Sequence, residues 1–348
     1  MGIVFIIPGD INTPSGGYRY DRNILSEWNT AGVEHQFLSL DGDFPFPARE
    51  DADDCMGHIE HISHHEVAVI DGLAGGVLPE FVEELSRHMP VVALVHHPLF
   101  LENGISQQQA KQLKASEQQA LRHVKHVVTT SESTNKLVHE IFDYPEQQIT
   151  AIMPGVERLV IAKPSGKPGL KLLCVGAVIE RKGHRFLLEA LSQLKHLDWE
   201  IDCVGKTDTD PALFKSLEDL ASTKGLTERI RFHHSVSEDA LLGFYGEADV
   251  FVLPSLFEGY GMAYAEAIVS GIPVIGTTAG AITKTVPETC GILVTPGDST
   301  HLAAALKKLI SDADLREALR MATHREAPNF PNWNEQAAKF ANLLKGLK

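Results

Sequence analysis

Short, almost uniformly apolar runs recur along the chain, each followed by a stretch whose apolar residues repeat with helical spacing. In the first half the runs fall at 3–7, 35–40, 67–71, 91–96, 126–130 and 149–154, with helical spacing near 17–31, 55–64, 79–88, 105–123 and 132–142. In the second half they fall at 171–176, 200–205, 229–233, 249–254, 272–276 and 291–295. Helical spacing there covers 183–196, 211–224, 237–246, 262–270, 299–311 and 312–323. Strands without a polar face, alternating with helices, predict parallel sheets covered on both sides. Two such series predict an α/β protein of two doubly wound domains.

The stretch PGVERLVIAKPSGKPG (154–169), with three prolines and three glycines, marks the boundary. It divides the chain into a first domain at 1–155, a linker at 156–169 and a second domain at 170–331. A final amphipathic helix at 332–347, with Trp333, Ala337, Phe340, Leu343 and Leu344 on one side, packs on its own domain or crosses back to the first. Ligands of doubly wound sheets bind at the carboxyl ends of the strands, so chemistry is sought in the loops that follow them.

Composition narrows the function classes. The 348 residues suit two domains, and the net charge of -15 disfavours nucleic acid or an anionic membrane surface as a partner. No apolar run approaches the roughly 18–20 residues of a membrane span. The start carries no basic segment before its apolar run. Cys55, Cys174, Cys203 and Cys290 are scattered, which predicts reduced thiols in a cytoplasmic protein.

The most informative segment is PSLFEGYGMAYAEAIVSGIPVIG (254–276). A strand ends at Pro254, a loop carries Glu258, Gly259, Tyr260 and Gly261, and Glu266 lies one turn into the following helix, eight residues after Glu258. Glycines let the backbone approach a ligand, and the N–H groups of a helix start favour phosphate. A carboxylate accepts from vicinal hydroxyls. Together these groups suit a phosphorylated sugar. Taken alone, the bland reading of the pair is a capping Glu258 and a solvated Glu266.

This segment resembles the retaining glycosyltransferases of family 4, whose signature is such an E-x7-E pair. The resemblance extends through VGAVIERKGHRFLLEAL (175–191), EADVFVLPS (247–255) and PGVE (154–157), and covers the first domain mainly in outline. It implies the GT-B fold: two facing Rossmann-like domains with a cleft between them. It implies a hexosyltransferase whose donor is a nucleotide sugar, a UDP- or GDP-sugar, with no metal cofactor. Glu266 would hold the ribose, Glu258 with Gly259, Tyr260 and Gly261 the transferred sugar, and Lys182 the diphosphate, with Arg181 beside it. Two positions depart from the family pattern. Ala177 stands where a second phosphate-binding Arg is usual, and His234 where a Gly often stands, so Arg181 is a candidate to supply the missing charge.

In the first domain, Gly16 and Gly17 precede a helix and correspond to the family's donor-phosphate loop. His96 and His97 end the strand VVALVHHP. A His at a strand end is usually structural; the resemblance makes His96 a contact of the transferred sugar, and His97 the second choice. Asp71, the last residue of VAVID, is an acceptor-side candidate. Three signals are discounted. Asp208-Thr209-Asp210 and Asp41-Gly42-Asp43 are DxD strings without a metal-binding context, and His58, His61 and His65, read on one helical face, lack a fourth zinc ligand. Lys111, Lys114, Arg122 and Lys125 make a modest basic face of the kind with which lipid-acceptor relatives dock on membranes, but the net charge of -15 puts a soluble acceptor ahead of a membrane-bound lipid-linked one. The competing readings are a sugar-nucleotide 2-epimerase of the same fold and a non-catalytic nucleotide-sugar-binding relative.

Overall fold

A computed structural model describes residues 2–102, 104–157, 160–163 and 169–347. It separates into two compact units, Met1–Gly155 with Asn332–Lys348, and Val156–Pro331. Each is built on a parallel sheet of six strands among the described residues.

The first unit contains β1 (Ile3–Pro8), β2 (His35–Leu40), β3 (Val67–Asp71), β4 (Val91–Val95), β5 (His126–Thr129) and β6 (Ile149–Ala151), ordered β2-β1-β3-β4-β5-β6. Strands β1, β3 and β4 are buried along their whole length, which is why they carry no polar alternation. Strand β2, at the sheet edge, exposes Gln36 and Phe37. The order reverses at β1, whose two neighbours are β2 and β3, and the crevice at such a reversal is where open α/β sheets bind ligands.

The second unit contains β7 (Leu170–Val175), β8 (Trp199–Val204), β9 (Ile230–His233), β10 (Val250–Val252), β11 (Val274–Thr277) and β12 (Gly291–Val294), ordered β12-β11-β10-β7-β8-β9. The reversal falls between β7 and β10. The loops that leave those two strands carry the ERKG turn and the 254–261 segment.

Some elements differ from the pattern-based expectation. The helix expected at 55–64 is instead Arg49–Gly57 followed by a single turn, Ile59–Ile62. His58 sits at the break, so His58, His61 and His65 do not share one helical face. The turns Gly72–Gly75 and Ile282–Thr285 are too short to give a periodic signal. Residues 158, 159 and 164–168 of the expected linker lie outside the described residues. The linker's Ala162 and Lys163 donate backbone hydrogen bonds to Ser270 (2.8 Å) and Gly246 (3.1 Å), so they lie along the second unit. All four cysteines are free and buried.

The final helix, Trp333–Lys345, packs on the helix Gly16–Thr30 of the first unit. Trp28 donates its indole N–H to the Ala337 carbonyl at 2.9 Å, and its ring meets Phe340 edge-on at 5.4 Å between centroids. Trp333 meets Tyr20 in the same way at 5.7 Å. The chain enters this contact at Gly155, where a Cβ would lie 2.2 Å from the Trp333 nitrogen. Phe340 is fully buried. Phe340→Ala is expected to cost about 3–5 kcal/mol, read as a lower urea midpoint, with lost amide protection concentrated in 16–30 and 333–345. An unchanged midpoint would show that this helix adds nothing to the first unit's stability.

Candidate active site

In the second unit, β7 ends at Val175 and the chain runs through Gly176 and Ala177 into the 3₁₀ turn Glu180–Lys182. Gly183 then takes φ +72° and presses on the Pro254 carbonyl, where a Cβ would come within 2.2 Å, so only glycine fits. The Leu256 N–H donates to the Arg181 carbonyl at 2.7 Å. These contacts lock the ERKG turn against the loop that leaves β10.

Glu258 is the product of that lock. It is 6% exposed and accepts three charged or polar donors: Lys182 Nζ at 2.6 Å, Arg181 Nη1 at 3.2 Å and Ser255 Oγ at 2.6 Å. Burial pushes its carboxyl up, but the Lys182 and Arg181 charges and the donated hydrogen bonds outweigh it and hold Glu258 at about 2. Glu258 is therefore a permanently ionised, buried carboxylate and not a helix cap. Arg181 also donates to the Phe257 carbonyl at 2.9 Å, so its guanidinium is committed to the loop. Lys182 lies along Gly176, its Cδ 3.3 Å from where a Cβ there would stand.

Gly261, at φ +92°, opens the helix Met262–Val269 without a side-chain cap. Tyr260 is buried, and its carbonyl accepts from Thr285 Oγ1 at 2.5 Å. Gly259 lies between it and Glu258. Glu266, half-buried on the same helix, accepts from the Tyr245 hydroxyl at 2.8 Å. Ser255 and Tyr245 were not singled out from sequence. Ser255, three residues before Glu258 in a turn, carried a local signal; Tyr245, 21 residues from Glu266, carried none. The DxD string at 208–210 has a structural use: Asp210 caps the helix Pro211–Thr223 through the Leu213 N–H at 2.9 Å, and Asp208 is exposed, 3.8 Å from Lys206. At the other DxD string, Gly42 abuts Asp51. His234 meets Thr207 Oγ1 through its Nδ1.

In the first unit, Gly16 and Gly17 open the helix Gly16–Thr30, which Ser15 caps through the Tyr18 N–H at 3.3 Å. Gly17 lies over the His96 ring, where a Cβ would be 3.2 Å from Cδ2. His96 Nε2 lies 3.1 Å from Asp71 Oδ2 and 3.5 Å from Asp21 Oδ1. Asp71 also accepts the Leu73 N–H at 2.7 Å. His97 turns away to Glu102 Oε2 at 2.8 Å. Asp21 was missed from sequence, although it stands one helical turn after Gly17 (i, i+4), the spacing that puts two residues on one face.

Asp21 is fully buried, and neither of its oxygens accepts a well-formed hydrogen bond. Burial pushes its carboxyl up, with the nearby Asp71 adding to the shift. For His96 burial acts downward, but the two carboxylates prevail and raise it to about 10. Asp21, Asp71 and His96 also form, among the described residues, a set of three metal-capable groups within 4.8 Å of one another.

Comparison with known proteins places this geometry. Residues 169–312 match the family described as "Glycosyl transferases group 1". The MMP alpha-(1->4)-mannosyltransferase of Mycolicibacterium hassiacum is 25% identical over 267 residues, 72% of this chain and 64% of that protein. A D-inositol 3-phosphate glycosyltransferase of Corynebacterium kroppenstedtii is 29% identical over 238 residues, 63% of this chain and 52% of that one. The aligned stretches thus span about half to two thirds of these relatives' length. Sucrose-phosphate synthase from Thermosynechococcus elongatus superposes with TM-score 0.83 at 19% identity, covering 99% of this chain and 98% of that one. HepE of Anabaena, in complex with UDP-glucose, superposes with TM-score 0.81 at 16% identity, covering 99% and 100%.

The chain therefore has the GT-B fold, with two Rossmann-like domains. The family match falls within its second unit, and the segment carrying Lys182, Glu258 and Glu266 lies inside the matched residues.

The two units bury charge with opposite pH consequences. In the first, Asp21 and His96 are raised, and burial pushes Glu117 up to about 8. Folded values above unfolded ones mean that the folded unit holds more protons, so its stability falls as pH rises through them. Glu258, lowered to about 2, contributes stability above about pH 4.5 that is lost only on acidification toward its folded value. Raising pH from about 7 to 9 should weaken amide protection, corrected for intrinsic exchange, in 2–155 relative to 170–331. Equal or opposite trends would show that the first unit does not hold these protons.

Proposed function

We propose that the chain is a retaining glycosyltransferase that moves a hexose from a nucleotide sugar to an acceptor hydroxyl without a metal ion. The observation that carries this reading is the Glu258 carboxylate, ionised and buried between Lys182 and Arg181 at the β7–β10 reversal, eight residues ahead of Glu266. Two cations against one carboxylate leave that cluster with a net positive charge, which favours a diphosphate alongside it. The relatives named as mannosyltransferase and inositol-phosphate glycosyltransferase, and the HepE structure holding UDP-glucose, support a nucleotide-sugar donor.

Glu266 binds the donor ribose through its carboxylate. The Lys182 ammonium faces the diphosphate, where negative charge develops as the glycosidic bond breaks. The uncapped backbone N–H groups at the start of the helix Met262–Val269 add to that stabilisation. Glu258 accepts from hydroxyls of the transferred sugar and opposes the positive charge that grows at its anomeric carbon.

Three donors hold the Glu258 carboxylate, so it is poorly placed as a covalent nucleophile. The acceptor oxygen therefore attacks the face from which the diphosphate leaves. The anomeric carbon–phosphate oxygen bond breaks, the bond to the acceptor oxygen forms, and the acceptor's proton passes to the leaving phosphate oxygen. His96, which closes β4 in the first unit, contacts a substrate hydroxyl, and Asp71 and Gly17 border it. The acceptor is a small molecule, a glycan or a lipid-linked sugar.

Glu258→Gln keeps the size of the side chain and removes its charge. Turnover should fall about 10- to 150-fold, the equivalent of a lost charge-assisted hydrogen bond. Affinity for the nucleoside diphosphate, which lacks the sugar, should change less than about threefold. Collapse of diphosphate binding instead would make Glu258 a nucleotide ligand or a purely structural ion pair. A product whose anomeric configuration is inverted relative to the donor would overturn retention.

Activity in excess EDTA should match activity without it. Loss on chelation, restored by Mg or Mn, would overturn the metal-free mechanism. Donor alone should yield slow hydrolysis; formation of the 2-epimer would favour an isomerase.

A further inference from the structure

The least expected feature of the first unit is a buried carboxylate with no good partner. Asp21 has no exposed surface, its oxygens accept no well-formed hydrogen bond, and the nearest cation-capable atom is His96 Nε2 at 3.5 Å. An ionised carboxylate in that position is costly unless charge or a proton reaches it. Asp71 approaches the same nitrogen from the end of β3 at 3.1 Å. Both acids therefore converge on one edge of one imidazole.

Among the described residues, the other groups recorded against or near the ring are neutral. Tyr20 meets it edge-on, 5.4 Å between centroids, and gives its hydroxyl to the Ile152 carbonyl at 3.0 Å. Tyr18, on the same helix, gives its hydroxyl to the Pro8 carbonyl at 2.6 Å. Thr130, beyond β5, gives its hydroxyl to the His96 carbonyl at 3.3 Å. Gly17 covers the Cδ2–Nε2 edge. About a fifth of the His96 side chain remains exposed, and its Nδ1 makes no hydrogen bond among the described residues.

We infer that Asp21 and Asp71 together grip His96 by Nε2 and keep it an imidazolium, so that Nδ1–H is a permanent donor to a substrate oxygen, with Asp21 as its positioning residue. One imidazolium, one carboxylate and one carboxylic acid sum to zero charge, the state that costs least to bury. Near neutral pH the two acids share that proton; at the higher pH where His96 itself titrates both are ionised, so each carboxylate supports the imidazolium. A neutral imidazole gripped at Nε2–H would present an Nδ1 lone pair instead, which accepts where the imidazolium donates. The pair of acids thus sets which hydrogen bond the ring can make. The same protons appear in the upward shifts of His96 and Asp21.

The catalytic use of this donor rests on the glycosyl-transfer reading; the protonation state does not. The decisive measurement is therefore ring-nitrogen NMR of the whole, ligand-free protein labelled with ¹⁵N-histidine, with the His96 signals assigned by their loss in His96→Gln. Wild-type His96 should keep protons on both nitrogens to about pH 9, where an ordinary histidine is neutral. In Asp21→Asn the midpoint should fall by at least about one pH unit. A wild-type midpoint near the ordinary value of about 6.5 overturns the proposal without any variant having to fold.

Ring signals that show an unprotonated Nε2 and move on adding Zn(II) would also overturn it, in favour of a metal site. With a donor and acceptor in hand, Asp21→Asn should lose about tenfold or more in kcat/KM near pH 8.5 and recover part of it near pH 6, where the ring is recharged. A loss that is equal at both pH values would make Asp21 merely structural.

Discussion

The Glu258 carboxylate is the charge around which the second unit's site is organised. A buried ionised group survives only if donors surround it, and removing one partner of such a group typically costs several kcal/mol. Here the donors come from two loops far apart in sequence: Ser255 beside it, and Arg181 and Lys182 across the β7–β10 reversal. The glycine at 183 and the backbone bond from Leu256 to Arg181 bring those loops close enough. The backbone of Glu258 is itself held, because its carbonyl accepts the Ala281 N–H at 2.9 Å. The sheet order supplies the crevice, the glycine supplies the approach, and the ion pairs fix the carboxylate's direction. A substrate that meets this site finds charge already oriented, which is how fixed dipoles and ions lower a barrier without reorganising.

The first unit meets the same problem with different chemistry. Its strand order also reverses, at β1, and its candidate residues lie at the ends of β1, β3 and β4. Among the described residues no lysine or arginine pairs with Asp21 or Asp71 there; their partner is a histidine. Two acids and one imidazole cannot all be charged in a dry place, so protons substitute for cations. One unit is thus built to hold an anion beside fixed cations, and the other to hold protons.

Much of this architecture was legible in the sequence because both sheets are buried on two faces. Runs such as IVFII and VVALV have no polar positions to confuse, and the structure places strands at each of the twelve expected runs. The 55–64 helix was misjudged because Ile59 and Ile62 continue an apolar spacing across the break at His58. The E-x7-E pair and the ERKG turn were legible as motifs. Their direct contact was not, since Lys182 and Glu258 are 76 residues apart and only the strand order brings them together. Asp21 was hidden for a similar reason: an acid in a polar-looking GGYRYDR stretch reads as solvated until Asp71 and His96 are placed beside it. The final helix was ambiguous because its apolar face fits any apolar surface; the complementary shape of Trp28, Tyr20 and Gly155 decides it.

Ala177 raises the question of where a second phosphate-directed cation would come from. Arg181 was the candidate on sequence grounds, and its guanidinium is instead turned to the Phe257 carbonyl and Glu258, with 14% of its side chain exposed. Moving it to a diphosphate would break both contacts and leave Glu258 with Lys182 and Ser255 alone. Under the proposed function, Arg181 is therefore the support that keeps Glu258 ionised when Lys182 turns to the substrate. A lysine shared between a carboxylate and a phosphate gains most when the phosphate's charge is greatest, which is as the diphosphate departs. With a single mobile cation, less of the attraction goes into binding the resting donor and more of it appears in the transition state, the distribution that raises turnover rather than affinity.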